Sequence, residues 1–274
     1  MTARFSHTHP TEGPHLRPRF GLTAADYAKH RAGFPAELVR RLHGHGIGLP
    51  GQRVVDLGTG TGSLARLFAR AGADVTGVDR AEQLLTQAAE LDGREGLRVA
   101  YRVAAAEDTG LPGASYDVVT AGQCWHWFDA PRAVREVGRL LRPGGRAVIA
   151  HFDMLPLPGN VVEATEQLIR TLNPEWTLYG STGLYPRWLT DLAIGGFTGI
   201  ETFSFDVEVS YTHEAWRGRM RASAGVGASL PPDGVAAFDA ELGRILRDRF
   251  PDDVLRVPHR TWAVLATAPG SAGG

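Results

Sequence analysis

A glycine turn flanked by two acids is the part of this sequence whose residue types could bind a nucleotide. Gly58, Gly60 and Gly62 follow an apolar run, Asp56 stands two residues before the first glycine, and Asp79 ends the next apolar run. Glycines at a strand-to-helix turn let the backbone approach a ligand closely. An acid at the end of the following strand, roughly 20 residues on, is placed to bind a ribose diol. The spacing therefore predicts a nucleotide-binding turn.

The spacing of these glycines favours a ligand other than a dinucleotide. The pattern here is G-x-G-x-G, whereas dinucleotide-binding turns carry G-x-G-x-x-G. Counted from Gly58, the third glycine of that fingerprint would fall on Ser63. Counted from Gly60 it would fall on Ala65, which the looser form of the fingerprint allows. An NAD(P)-dependent oxidoreductase therefore remains an alternative.

A second group of polar residues follows later apolar runs. Gln123 and His126 come after the run at 116–121, and His151 and Asp153 end another. Strand ends of a doubly wound sheet face the ligand crevice. With a reference pKa of about 6.5, a histidine such as His126 could act as a general base at neutral pH. The alternative is a structural histidine packed among tryptophans.

The elements that must position these residues alternate along the chain. Strand patterns occupy residues 54–57, 74–78, 97–103, 116–121 and 146–152, and helical patterns between them occupy 63–71, 81–91 and 131–141. Apolar strands separated by helices are typical of a parallel sheet that is covered on both faces. Further helical patterns occupy 23–31, 35–44, 160–172, 187–194, 212–224 and 233–249, with strand patterns at 200–209 and 261–266. The sequence therefore predicts an α/β fold.

Four segments together resemble class I S-adenosylmethionine (SAM) dependent methyltransferases, in particular their bacterial small-molecule branch (methyltransferase type 11-like). They are residues 54–62, 74–79, 106–112 with 115–119, and 140–149, and they agree in order and spacing within about residues 20–150. A Tyr27-x-x-x-Arg31 arm and the pair His126-Trp127 also fit that branch. The resemblance implies a doubly wound, Rossmann-like, seven-stranded sheet with an antiparallel last strand and helical lid insertions.

The resemblance also implies the residues that bind SAM, whose product would be S-adenosylhomocysteine. Asp79 would bind the ribose, and Asp56 would help to organise the methionine end. The backbone of Ala106 and the side chain of Glu107 would meet the adenine, because Ala105 stands where many relatives carry an aspartate. The full predicted set is Tyr27, Arg31, Asp56, Gly58, Thr59, Gly60, Gly62, Asp79, Arg80, Ala106, Glu107 and Gln123.

The same resemblance divides the chain into three parts. Residues 1–33 would form an N-terminal arm and helix, and residues 34–152 the SAM-binding core. Residues 153–274 would complete the sheet and carry acceptor-binding insertions at 153–183 and 212–258. The candidate acceptor residues are His151, Trp176, Tyr179, Arg217 and Arg221. The two arginines share a helix face and suit an anionic acceptor, and a solvated basic face is the alternative.

Composition limits the partners that we expect. The net charge of −1 offers no overall attraction to nucleic acid or an anionic membrane. A polar start and no apolar run of about 18 residues predict a soluble, cytoplasmic protein. The single cysteine, Cys124, excludes an intrachain disulfide. We expect no metal site, although His7, His9 and His15 lie near the start, and we expect a monomer or a homodimer.

The predicted activity is transfer of a methyl group from SAM to a small-molecule acceptor. An O, N, S or activated C nucleophile would displace the sulfonium in line, and the protein would mainly position the reactants and exclude water. His126 would be the catalytic base where the nucleophile starts protonated. The alternative from another class is a SAM-binding protein without methyl transfer, such as a regulator or a pericyclic-type catalyst.

Overall fold

The computed structural model describes residues 32–270, and its centre is a seven-stranded sheet. The strands are β1 (Arg53–Leu57), β2 (Asp74–Asp79), β3 (Ala100–Val103), β4 (Tyr116–Gly122), β5 (Leu141–Met154), β6 (Thr198–Thr212) and β7 (Val254–Thr267). They lie in the order β3-β2-β1-β4-β5-β7-β6. The neighbours from β3 to β5 pair in parallel, and β7 pairs antiparallel with β5. The predicted Rossmann-like sheet with a reversed last strand is confirmed.

Helices connect most of these strands. Within the described residues they are α1 (Ala36–Gly44), α2 (Ser63–Arg70), α3 (Glu82–Glu95), α4 (Ala130–Leu140), α5 (Val161–Leu172), α6 (Arg187–Ile194), α7 (His213–Arg221) and α8 (Pro232–Arg249). None of these helices combines the length and the apolar composition that a membrane crossing requires. The helix predicted at 23–31 and the histidines at positions 7, 9 and 15 lie outside the described residues.

The described residues divide into two compact units. The sheet unit comprises residues 32–155, Ser181–Ser210 and 256–270. The helical unit comprises Pro156–Gly180 and Tyr211–Leu255. Inside the helical unit, the fully buried Trp216 of α7 donates its indole N–H to Oγ1 of Thr165 in α5 at 3.1 Å. The acceptor-binding role expected for residues 153–183 and 212–258 stays a prediction.

Alternation along the strands gives the sheet unit its core. Successive side chains of a strand point to opposite faces. Val54 and Val148 belong to one buried apolar cluster, which includes residues of α1 and α2. Val55 and Ile149 belong to the other, which includes residues of α4 and α6. Odd-numbered positions of β5 therefore share the second face, and that face continues from Ile149 to a polar residue, His151.

The largest differences from the predicted boundaries have physical causes. The strand β3 begins at Ala100 rather than 97, because the N–H of Leu97 bonds the carbonyl of Asp92 at 2.9 Å and closes α3 after the left-handed Gly96. Both β5 and β7 are longer than predicted. They pair without interruption from Arg146 with Thr267 to Met154 with His259. This pairing extends β5 past residue 152 and starts the paired part of β7 at His259, while Leu141 at the start of β5 pairs with Tyr116 of β4.

Candidate active site

The glycine turn after β1 is the first component of the site. Gly58, Gly60 and Gly62 all adopt left-handed conformations, with φ of 61°, 56° and 77°. A Cβ on Gly58 would lie 2.8 Å from Sγ of Cys124, and one on Gly62 would lie 2.6 Å from the hydroxyl oxygen of Tyr101. A Cβ on Gly60 would meet no described atom within 4 Å. Packing therefore requires the outer two glycines, whereas Gly60 borders open space.

Asp79 ends β2 beside this turn. Its Oδ2 accepts a hydrogen bond from the backbone N–H of Gly60 at 2.9 Å, and its Oδ1 accepts one from the N–H of Ala81 at 2.9 Å. A carboxylate offers about four acceptor positions, so it keeps capacity for a pair of ligand hydroxyls. The strand order reverses between β1 and β4, and doubly wound sheets bind ligands at that point. The turn and Asp79 thus lie where a nucleotide is expected.

Asp56 lies buried under the turn, where only 1% of its surface is exposed. The hydroxyl of Thr120 donates to its Oδ1 at 2.7 Å. Burial raises the pKa of Asp56 to about 6, assisted by the nearby charge of Asp79 and opposed by the hydrogen bond from Thr120. The carboxyl therefore supports the turn from within the protein. Its predicted contact with the methionine end of SAM stays a prediction.

Arg80 and Glu107, both predicted on the adenine side, pair with each other. The Arg80 guanidinium lies 2.8 Å from Oε2 of Glu107, and the backbone N–H of Asp129 donates to Oε1 at 3.1 Å. The Glu107 side chain is 6% exposed and that of Arg80 is 51% exposed. Ala106 is buried next to them. A buried carboxylate capped by a more exposed arginine therefore borders the region predicted for adenine.

The segment after β4 turns sharply at Gln123. Its φ of 60° is one that non-glycine residues rarely adopt, and its N–H bonds the carbonyl of Ala150 at 2.9 Å. A short 3₁₀ helix, Trp125–Trp127, follows, and the indole N–H of its Trp125 donates to Asp191 at 3.0 Å. Strained backbone of this kind clusters at functional sites. This conformation fits the ligand-binding role predicted for Gln123.

The structure brings the two predicted histidines, His126 and His151, together. The ring centroids of His126 and His151 lie 5.5 Å apart, and that of Trp127 lies 4.5 Å from that of His126. His126 is exposed, whereas His151 is buried with 8% of its surface exposed. The two rings therefore form one cluster at the ends of β4 and β5, with different access to solvent.

His151 is held by a hydrogen-bonded network. Its Nδ1 lies 2.8 Å from Oδ1 of Asp153 and 3.1 Å from the hydroxyl of Tyr185. The Tyr185 hydroxyl also donates to Oδ2 of Asp153, and the hydroxyl of Ser181 donates to the same oxygen at 2.7 Å. Burial alone would raise the pKa of Asp153. The interaction with His151 and the hydrogen bonds from Tyr185 and Ser181 outweigh burial and hold that pKa below its usual range.

Aromatic rings surround this network. Tyr185 stacks on Trp188 with ring centroids 4.2 Å apart and an interplanar angle of 9°. The ring of Trp188 lies 5.7 Å from that of His151 and 5.6 Å from that of Trp262. Trp262 also pairs with His151 across β7 and β5. The surroundings of the imidazole are therefore flat, apolar and firmly packed.

The remaining candidate acceptor residues lie in the helical unit. Arg217 and Arg221 both contact the carboxylate of Asp239, and both also reach Glu214, at 3.3 Å and 2.9 Å. In the same unit, the rings of Trp176 and Tyr179 lie 6.1 Å apart. An anionic acceptor would therefore compete with carboxylates that already neutralise both arginines.

The sequence placed Asp153 at a strand end that faces the ligand crevice but gave no role to Ser181 or Tyr185. The signal for Asp153 was present, because residues 151 and 153 of one strand point to the same face. No comparable pattern indicates the two loop residues, which meet β5 only through the fold. Tyr27 and Arg31, predicted to bind the methionine end, lie outside the described residues.

Comparisons with known proteins agree with this arrangement. The family described as the methyltransferase domain matches residues 55–149. Uncharacterized methyltransferases of Mycobacterium tuberculosis and Mycobacterium bovis are each 37% identical to this chain over 132 residues. The match covers 46% of this chain and 49% of each relative. The chain thus spans about half the length of these relatives.

Two longer matches extend this result. A ubiquinone biosynthesis O-methyltransferase of Xanthomonas oryzae pv. oryzae is 31% identical over 65% of this chain and 73% of its own length. The solved structure of a candidate type II methyltransferase from Anaeromyxobacter dehalogenans has a TM-score of 0.62 and 27% identity, over 88% of this chain and 99% of that one. Together with the sheet order and the glycine turn, these matches show that the chain belongs to the class I SAM-dependent methyltransferases.

Proposed function

We propose that this chain binds SAM at the turn after β1 and transfers its methyl group to a small-molecule acceptor. The observation that carries the proposal is the contact between Asp79 and the N–H of Gly60 at the point where the strand order reverses. It combines a carboxylate with spare acceptor capacity and a glycine that borders open space. A ribose diol requires that combination, so the residues fit the cofactor of the family.

The chain's own residues would bind and orient the two reactants. Asp79 would accept hydrogen bonds from the ribose, and Gly60 would let the backbone approach it. The pair formed by Arg80 and Glu107 would border the adenine, and Gln123 would face the methionine end. When bound, SAM supplies a methyl group on a sulfonium, which a nucleophile attacks as the carbon–sulfur electron pair returns to sulfur.

Two further observations support a small acceptor. The Xanthomonas relative is named as an O-methyltransferase of ubiquinone biosynthesis, which indicates small-molecule chemistry in a protein similar to this one. The net charge of −1 offers little attraction to the phosphates of a nucleic acid. We place selection of the acceptor in the insertions at 153–183 and 212–258.

Calorimetric titration with SAM, S-adenosylhomocysteine and NADH tests the cofactor. The expected result is micromolar binding of the first two ligands and none of NADH. Asp79→Asn removes a charged hydrogen-bond acceptor, which typically contributes about 1.5–3 kcal/mol, so SAM affinity should fall about 10-fold to 150-fold. The control is Asp74→Asn, which changes an exposed acid at the other end of β2. Binding of NADH instead, or unchanged SAM affinity in Asp79→Asn, would refute the proposal.

A further inference from the structure

We propose that His151 is the general base of this enzyme and that its acceptor is a phenolic hydroxyl compound. Asp153 would orient the imidazole, and Nε2 would receive the hydroxyl proton. This inference rests on the proposed function and deepens it, because it names the class of acceptor. It also assigns the proton to His151 rather than to His126, which would border the acceptor.

The contacts of Nδ1 fix which nitrogen can act as the base. A carboxylate can only accept hydrogen bonds, so the 2.8 Å contact with Asp153 places the imidazole proton on Nδ1. In the neutral ring, Nε2 then carries the lone pair. The Tyr185 hydroxyl donates to the other oxygen of Asp153 and does not compete for this proton. The network therefore presents Nε2 as a proton acceptor.

Nε2 of His151 is itself buried and has no hydrogen-bond partner among the described residues. More than about nine in ten buried polar groups in proteins are paired, so this atom requires an explanation. A hydroxyl of the acceptor would supply the missing partner. About a tenth of the His151 side-chain surface is exposed, although Nε2 itself is not.

The electrostatics also suit a base that becomes charged. The pKa of Asp153 is held below its usual range, since His151 and the donated hydrogen bonds outweigh the opposing effect of burial. The carboxylate therefore stays ionised and can stabilise an imidazolium beside it. Burial and the charge of Asp153 raise the pKa of Tyr185, so its hydroxyl stays protonated as a donor.

These groups match a phenol more closely than other nucleophiles. A phenol, with a reference pKa near 10, is mostly protonated at neutral pH, and a base can accelerate its reaction about 10²–10⁴-fold. Because a histidine oriented by an aspartate also deprotonates alkyl hydroxyls in other enzymes, the choice of a phenol over an alcohol rests on the aromatic surroundings of His151. Beside His151 lie the exposed ring of His126 and the partly buried ring of Trp127, whose centroids are 4.5 Å apart, and these flat faces suit an aromatic acceptor.

The proposed step is a proton transfer. The O–H bond of the phenol breaks, its electron pair stays on oxygen, and the proton bonds to Nε2 of His151. The oxygen, now carrying that pair, is the nucleophile for the methyl group. The imidazolium later returns the proton to water, so no oxidant, reductant or metal is consumed.

The competing explanation is structural, in which Asp153 and His151 only anchor the loop that carries Ser181 and Tyr185 to β5. A spectroscopic probe separates the two, because a structural pair would not ionise a ligand. The probe is 4-nitrocatechol, a phenol whose ionised form absorbs visible light. It is titrated into protein loaded with S-adenosylhomocysteine, at one pH unit below the pKa of the free probe.

In the wild-type protein we expect a saturable phenolate signal, from about one tenth ionised when free to more than about half when bound. His151→Gln should bring the bound fraction back to about one tenth, and Asp153→Asn should reduce it. The matched control is His259→Gln, which replaces a buried histidine of β7 whose Nδ1 contacts the carbonyl of Val257. That control should keep the full signal.

Calorimetry with S-adenosylhomocysteine on the same variants separates the two proposals. Absence of binding in the wild-type protein would refute the proposed function. Normal cofactor binding without a phenolate signal in the wild-type protein would overturn the assignment of base and acceptor. The same conclusion follows if His151→Gln keeps the signal. Retained cofactor binding in every variant also shows that each one is folded.

Discussion

The buried carboxyl of Asp56 gives a quantitative test of the structure through the pH dependence of stability. Burial raises its pKa from 3.8 to about 6 in the folded chain. Between those values the folded state binds more protons than the unfolded state, so stability falls as pH rises. The full effect corresponds to about 3 kcal/mol, at about 1.36 kcal/mol per pH unit. It is absent below the unfolded pKa and complete above the folded one.

Asp56→Asn removes this titration and keeps an oxygen that can accept from Thr120. About 1 kcal/mol of the penalty is already present at pH 4.5 and nearly all of it at pH 7.5. The stability of the variant relative to wild type should therefore increase by about 2 kcal/mol between these two pH values. Any pH-independent effect of the amide on stability is the same at pH 4.5 and pH 7.5, so it cancels and does not alter the sign of this change.

Urea unfolding followed by tryptophan fluorescence at pH 4.5 and 7.5 measures this difference. The control is Asp74→Asn, since Asp74 is exposed, and its stability relative to wild type should change little with pH. If the relative stability of Asp56→Asn is the same at both pH values, burial does not dominate the pKa of Asp56. If it decreases with pH, the carboxylate is stabilised by the fold and the reasoning is wrong.

Two further predictions concern charged pairs. Hydrogen bonds from Arg139 and Thr109 outweigh burial and lower the pKa of Glu136 to about 2. Its ionised form therefore stabilises the fold above about pH 4.5. This stabilisation is lost as the pH falls toward about 2. Glu136→Gln should lower the free energy of unfolding by about 1–3 kcal/mol at pH 7 and by less at pH 3, as measured by urea unfolding. An equal decrease at the two pH values would contradict the pairing of Glu136 with Arg139. Arg217→Ala and Arg221→Ala should each lower stability by about 1 kcal/mol without changing the KM of the acceptor, because acids already neutralise both groups. A several-fold rise in KM at unchanged stability would instead favour an anionic acceptor.

The sequence predicted most of the fold because the central strands are apolar and the helices between them are amphipathic. The doubly wound, seven-stranded sheet and its reversed last strand came from a resemblance carried by short motifs. The ends of β5 and β7 could not be predicted, since parts of them pair with distant segments: Leu141 of β5 with Tyr116 of β4, and the end of β5 with β7. The apolar pattern within one strand does not indicate which distant strand will pair with it.

The candidate site shows the same limit. The motifs placed Gly60 and Asp79 together, and the contact between them follows from adjacent parallel strands. The partners of His151 could be predicted only in part. Asp153 is close to His151 in sequence. Tyr185 is more than 30 positions away, and it contacts His151 because the loop before α6 folds onto the end of β5. Loop residues of this kind have no periodic pattern to identify them.

The uninterrupted pairing of β5 with β7 has a consequence for how this protein can diverge. Main-chain hydrogen bonds of an uninterrupted antiparallel ladder set His151 opposite Trp262 and Asp153 opposite Arg260, and a register of this kind is fixed by the apolar pattern of the buried strands. The helical unit is encoded by other stretches of the chain, Pro156–Gly180 and Tyr211–Leu255. Mutations there replace none of the residues that pair in this ladder. The helical unit can therefore change in sequence without replacing the histidine, the aspartate or the residues paired with them.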